Sequence, residues 1–165
     1  MARRTETMNQ IWAPWRMDYI LAPKDRACFL CSKFAESTDR ENHILFRGPT
    51  CAVVLNRYPY IGGHLMVAPY RHVDGLDGMQ PEERAEMMEL ANRCILMLKK
   101  VMSPQGFNVG LNLGAPAGAG LKDHVHLHVV PRWNGDTNFM PVLGHTTVIP
   151  QALDELYDAL LPHFT

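Results

Sequence analysis

In the run Asp123-His124-Val125-His126-Leu127-His128-Val129-Val130, imidazoles alternate with branched apolar side chains. Successive side chains of a β-strand point to opposite faces. Read as a strand, the segment sends Val125, Leu127 and Val129 into a core and lines up His124, His126 and His128 on the other face. Three imidazoles side by side cost more desolvation than apolar residues would, so packing alone explains them poorly. Neutral imidazole is a nucleophile and a metal ligand, and it titrates near neutrality. The competing reading is a solvent-facing strand that happens to be rich in histidine.

The rest of the chain predicts the sheet this strand joins. HILFRG (43–48) and TCAVVLN (50–56) read as a hairpin broken at Gly48-Pro49. Tyr58 to Gly63 reads as a turn, HLMVAP (64–69) as the next strand and GFNVGLN (106–112) as another. Between them Pro81 opens one long helix, with Glu82, Glu83 and Glu86 as surface charges suited to its positive end. Met87, Leu90, Ala91, Cys94, Ile95, Leu98, Val101 and Met102 form its apolar stripe. A terminal helix follows from about Gln151 to Leu161. The expected class is α+β, with a mostly antiparallel sheet. Residues 1–27 read as a leader whose Trp12 and Trp15 dock on the body or on a partner subunit, and 28–165 as a single domain.

With 165 residues, 47% apolar and 20% charged, the chain has material for one sizeable core. Sixteen basic and 17 acidic residues leave a net charge of −1. No global basic field recruits nucleic acid or an anionic membrane. A phosphate site has to be built locally, from histidines and backbone amides. The basic start is not followed by an apolar run of signal-peptide length, and no run approaches the ~20 apolar residues of a membrane span. The expectation is a cytoplasmic protein, in which four cysteines are thiols or metal ligands rather than disulfides.

Gly114-Ala115-Pro116-Ala117-Gly118-Ala119-Gly120 leads straight into the histidines. Such a bare loop lets amides approach a phosphate, although alone it also fits a flexible linker. Cys28 and Cys31, two residues apart, can bite one metal ion if two more ligands come from elsewhere. A redox dithiol and an incidental pair are the alternatives. Cys51 and Cys94 fall on apolar faces and read as inert. His43, His145 and His163 stand alone and read as surface or capping residues. Arg132 fits either a distal phosphate contact or a solvated position.

His-x-His-x-His followed by Val129-Val130, with Asn112-Leu113-Gly114 upstream and Gly63-His64-Leu65-Met66-Val67-Ala68-Pro69, resembles the histidine triad superfamily of nucleotide hydrolases and transferases. The likeness covers most of residues 28–133. Trp12 to Arg16 and Pro131 to Asp136 look more like its bacterial branch that splits diadenosine polyphosphates. The resemblance implies that His126 attacks the α-phosphorus, with His128, His64 and His124 as supporting members of the site and no catalytic metal. It implies phosphate contacts from the amides around Gly118, Ala119 and Gly120 near Asn112, and an apolar base site at Phe29, Leu30 and Val54. Asn56 matches a ribose contact, and equally fits a strand-ending turn.

The resemblance further implies a structural zinc site of Cys28, Cys31, His72 and His124, and a homodimer with one continuous sheet. The Thr146–Pro150 run is a place for added intersubunit contact. One departure stands out. Gly120 and Leu121 occupy positions where several members carry Gln or Ser, so a side-chain contact to the leaving group is missing. Rival readings are another leaving group on the same site, as in phosphoramidates, adenylyl sulfate or aminoacyl adenylates, and a non-catalytic nucleotide-binding or zinc interaction module.

Overall fold

The computed structural model describes residues 28–121, 123–136 and 151–164. The leader with Trp12 and Trp15, His145 and the Thr146–Pro150 run lie outside the described residues. Five strands make one sheet: β1 (Ile44–Arg47), β2 (Cys51–Leu55), β3 (Leu65–Pro69), β4 (Gly106–Leu111) and β5 (Leu127–Arg132). The order is β1-β2-β3-β5-β4, and every neighbouring pair is antiparallel. This is the α+β architecture expected from the pattern of apolar runs.

The period-2 alternation sorts side chains onto two faces with different fates. On one face Val53, Leu55, Leu65, Val67, Val125, Leu127 and Val129 join Met87, Leu90, Cys94 and Leu98 in the main core. The helical residues come from α3 (Pro81–Met102), which begins with Pro81 and a reciprocal Gln80–Glu83 capping box. On the other face Ile44, Ala52, Val54, Met66 and Ala68 pack with Leu30 in a second cluster. Leu30 belongs to α1 (Phe29–Ala35), a helix that the sequence reading does not anticipate. Leu30 and Phe34, spaced i and i+4, are its inward stripe. A single turn, α2 (Asp39–Asn42), leads into β1, and α4 (Leu153–Leu160) is the last α-helix of the described residues.

Two acidic residues of α3 depart from the surface role expected of them. Glu83 is buried, takes Arg71 in a two-pronged ion pair at 2.7 Å and accepts the Gln80 amide at 2.7 Å. Glu86 accepts from the amides of Thr50 and Cys51 at 2.6 and 3.0 Å and so pins the β1–β2 turn to the helix. Their carboxylates serve tertiary structure more than the helix dipole.

Candidate active site

The strand assignment of β5 begins at Leu127, yet the alternation holds through the residues before it. Val125 is buried in the main core, and all three histidines are turned away from it. None of them faces open solvent: His124 is wholly buried, with His126 at 7% and His128 at 9% exposure. A merely surface-exposed histidine face is therefore excluded.

His126 sits with Nδ1 2.8 Å from the carbonyl oxygen of His124. A carbonyl only accepts, so the ring proton lies on Nδ1 and Nε2 keeps its lone pair. That is the nucleophilic tautomer.

The tautomer of His128 is set by a relay. The Tyr60 amide donates to His64 Nδ1 at 3.1 Å, so the proton of neutral His64 lies on Nε2. His64 Nε2 is 2.9 Å from His128 Nδ1 and donates to it. His128 must then carry its own proton on Nε2, as a donor available to a ligand. Burial first, then the His128 and His126 rings, push His64 down to about 3. Burial, then His126, push His128 down to about 4. Both rings are neutral at neutral pH, as the relay requires.

His64 reaches this position through the turn before β3. Gly63 has φ +83°, and a Cβ there would meet Met102 Sδ at 2.9 Å and Pro131 Cγ at 3.0 Å. Only glycine fits that backbone and that approach. Tyr60, from the same turn, lies with its ring centroid 4.6 Å from His64 and 5.8 Å from His128. The sequence reading missed Tyr60; its place four residues before His64 is the only trace it leaves.

The second constellation closes around His124. Its Nε2 lies 2.8 Å from the Pro69 carbonyl oxygen and must donate to it, which leaves Nδ1 bare. Nδ1 faces Cys28 Sγ at 3.2 Å and Cys31 Sγ at 3.4 Å, and His72 Nδ1 lies 3.4 Å from Cys31 Sγ. All four ligand atoms lie within 4.8 Å of one another and can hold a metal ion. With both ring nitrogens so engaged, His124 offers His126 its carbonyl rather than its imidazole. Val125 N–H donates to Val73 O at 2.7 Å and ties the histidine segment to the loop that carries His72.

The remaining predicted residues separate. A groove of about 490 Å³ opens at His128 and is lined in part by Asn112, Tyr60, Asn108 and Arg132. Asn56 closes a turn, with Oδ1 accepting the Tyr58 amide at 2.9 Å and its amide nitrogen 3.3 Å from His64 Nδ1. Leu30 and Val54 are fully covered in the second cluster, while Phe29 is 45% exposed. The amides of Ala117, Gly118 and Ala119 turn back onto the loop's own carbonyls at 3.2, 3.0 and 3.4 Å. Leu121 packs against the second cluster, so this position serves the core.

Residues 37–135 match the family model described as HIT domain. The chain is 44% identical over 156 residues to the AP-4-A phosphorylase of Mycobacterium tuberculosis H37Rv, covering 90% of this chain and 80% of the relative. It is 30% identical over 95 residues to the asymmetrical bis(5'-nucleosyl)-tetraphosphatase of Schizosaccharomyces pombe, covering 58% of this chain and 52% of the relative. Among solved structures, a Zn-bound histidine triad family protein from Mycobacterium smegmatis superposes with a TM-score of 0.68 at 24% identity, covering 84% of this chain and 93% of that one.

Proposed function

This chain belongs to the HIT domain family, and from that membership we propose that it is a nucleotidyl-transferring enzyme that cleaves dinucleoside polyphosphates, such as diadenosine tetraphosphate, at the α-phosphate. The observation that carries the reading is the His126 ring, held at Nδ1 by the His124 carbonyl and bare at Nε2. The similarity to an AP-4-A phosphorylase across nine-tenths of the chain supports the choice of substrate.

His126 Nε2 attacks the α-phosphorus, and the bond to the bridging oxygen breaks. The departing nucleotide keeps the electron pair, and His128 Nε2–H meets the charge growing on that oxygen. His64 fixes the donor state of His128. Amides of the loop at Gly118, Ala119 and Gly120 turn outward to the phosphoryl oxygens as substrate arrives, and Asn112 lines the groove that opens at His128. Phe29 covers one face of the base, with Leu30 and Val54 as the layer beneath, and Asn56 reaches a ribose hydroxyl from its turn. Water then yields a nucleoside monophosphate, and inorganic phosphate yields a diphosphate.

The Cys28, Cys31, His72 and His124 cluster is a structural zinc site. Zn–S bonds of about 2.3 Å and Zn–N bonds of about 2.0 Å in a tetrahedron set sulfur and nitrogen about 3.5 Å apart. Three of the four sulfur–nitrogen pairs here lie at 3.2 to 3.4 Å, and all four ligand atoms lie within 4.8 Å of one another. The Pro69 carbonyl orients the His124 ligand in the way metal-bound histidines are usually held. Zinc would fix α1 and the His72 loop against the catalytic segment and take no part in the chemistry.

The chain pairs with a second copy along β4, which is an edge strand among the described residues and whose Val109 is 42% exposed. No described helix is long and apolar enough to cross a membrane. The four unpaired cysteines suit the reducing cytoplasm.

The test is product analysis with diadenosine tetraphosphate. Wild type should release adenylate or a diphosphate, and His126→Asn should lower turnover by more than about 10³-fold. Intact turnover in that variant would retire the assignment. Full ligand affinity in wild type without any product would favour a binding module.

A further inference from the structure

The groove that opens at His128 runs along β4 and β5 to a second polar group. His128 and Arg132 stand four residues apart on one face of β5; Asn108 and Gly110, paired with Val130 and His128, face them from β4. Arg132 Nε and Nη2 donate to the two Asp136 carboxylate oxygens at 2.6 and 2.8 Å, and Nη1 donates to Asn108 Oδ1 at 2.9 Å. Asp136 also accepts the Trp133 amide at 3.1 Å, which anchors the fork to the backbone. Because Asn108 pairs with Val130, the guanidinium is drawn back toward His128, to about one residue pair, or roughly 7 Å, beyond it. Gly110 leaves the space opposite His128 open, since a Cβ there would meet nothing within 4 Å, and the buried Val130 side chain floors the interval toward Arg132. Described residues engage three of the five guanidinium N–H bonds, and the Arg132 side chain is 44% exposed.

We infer that the interval between His128 and Arg132 is an acceptor site for inorganic phosphate, and that Arg132 sets the balance between phosphorolysis and hydrolysis. The inference rests on the nucleotidyl-His126 reading. Two successive in-line displacements at one phosphorus use the same side. His126 attacks opposite the departing oxygen, so the group that later displaces His126 arrives where that oxygen left, beside His128. A phosphate with one oxygen on His128 Nε2–H and another on Arg132 fills the interval. Its free oxygen forms the new P–O bond. The P–Nε2 bond breaks, and its electron pair returns to an imidazole still protonated at Nδ1. The product is a nucleoside diphosphate. When water attacks instead, it loses its proton to solvent and the product is the monophosphate. Asp136 aims the guanidinium and offsets its charge, which suits an acceptor that must give way to a departing polyphosphate at every turnover.

The experiment supplies isotope-labelled inorganic phosphate with diadenosine tetraphosphate and measures labelled ADP against AMP in wild type, Arg132→Ala, Arg132→Lys and Asn108→Ala. Both products descend from one intermediate in the folded fraction, so lost stability does not move their ratio. The ratio should fall by about tenfold or more in Arg132→Ala, and severalfold in Arg132→Lys, which keeps charge but loses the fork. Asn108→Ala should show a smaller fall in the same direction. Ratios within twofold of wild type in both Arg132 variants would overturn the inference, as would a wild type that makes only AMP in the presence of phosphate. A wild type that does not cleave the substrate at all would instead overturn the parent reading, and this one with it.

Discussion

A neutral histidine offers one donor and one acceptor, and chemistry at a phosphate needs each ring to offer the right one. Here two backbone groups decide. The His124 carbonyl leaves the lone pair of His126 on Nε2, and the Tyr60 amide, acting through His64, leaves His128 with a donor at Nε2. Replacing His128 by Asn should lower kcat for diadenosine tetraphosphate by about 10²–10⁴-fold, with less loss on an adenylate ester whose leaving group needs no help. Steady-state comparison of the two substrates checks this; equal losses would contradict a role in leaving-group departure. The same depressed titrations carry a stability consequence. An unfolded histidine binds its proton near pH 6.5. Folded His64 and His128 resist protonation until about 3 and about 4. Between those limits the unfolded chain holds more protons, so stability is full above about pH 6.5 and is lost as pH falls toward 4. Urea midpoints measured from about pH 7.5 to 4.5 should decline, and His64→Asn should decline less steeply. The histidine face was legible in the alternation of Val125, Leu127 and Val129 with the three imidazoles. The tautomers, the Tyr60 contact and the Arg132–Asp136 fork were not, because each depends on backbone atoms or side chains brought together by the turn or the sheet.

The four candidate metal ligands come from three parts of the fold: the start of α1 with Cys31 and its N-cap Cys28, the loop after β3 with His72, and the segment before β5 with His124. Cys28 and Cys31 showed in the sequence as a pair. That they open a helix did not, because α1 has only seven residues and draws its stability from packing Leu30 against the sheet. We predict one zinc per chain by elemental analysis, lost in Cys28→Ser. Metal removal should lower the melting temperature and reduce turnover without abolishing it, because the ion would place the His124 carbonyl and touch no substrate. Metal-free native protein with full stability would rule the zinc site out. In α3 the apolar stripe was plain from its spacing, whereas the tertiary roles of Glu83 and Glu86 were hidden by their position in an acidic first turn. Glu83→Ala should cost about 1–3 kcal/mol in denaturant unfolding, from the lost cap and the stranded Arg71 partner.

At the scale of the molecule, the described residues form a five-stranded sheet with α3 on one face and α1 on the other, and β4 is an edge among them. That edge, with Val109 42% exposed, is where the proposed second copy would pair. Light scattering should give the mass of a dimer, and Val109→Lys should shift it toward the monomer; a monomeric wild type would contradict the pairing. The fold class and strand order of the hairpin could be read from apolar runs and their punctuation by Gly48-Pro49. The crossover that inserts β5 between β3 and β4 could not, since nothing local marks which strands become neighbours. That crossover sets His128 between His64 and Gly110, and so makes the groove. The account stands on a nucleotide passing through His126. Acid-quenching the enzyme during turnover of diadenosine tetraphosphate, followed by peptide mass spectrometry, tests this most directly. The account predicts an adenylyl group on His126 and none in His126→Asn; turnover with the adenylyl group on another residue, or with no covalent adduct under conditions that trap phosphohistidine, would contradict it.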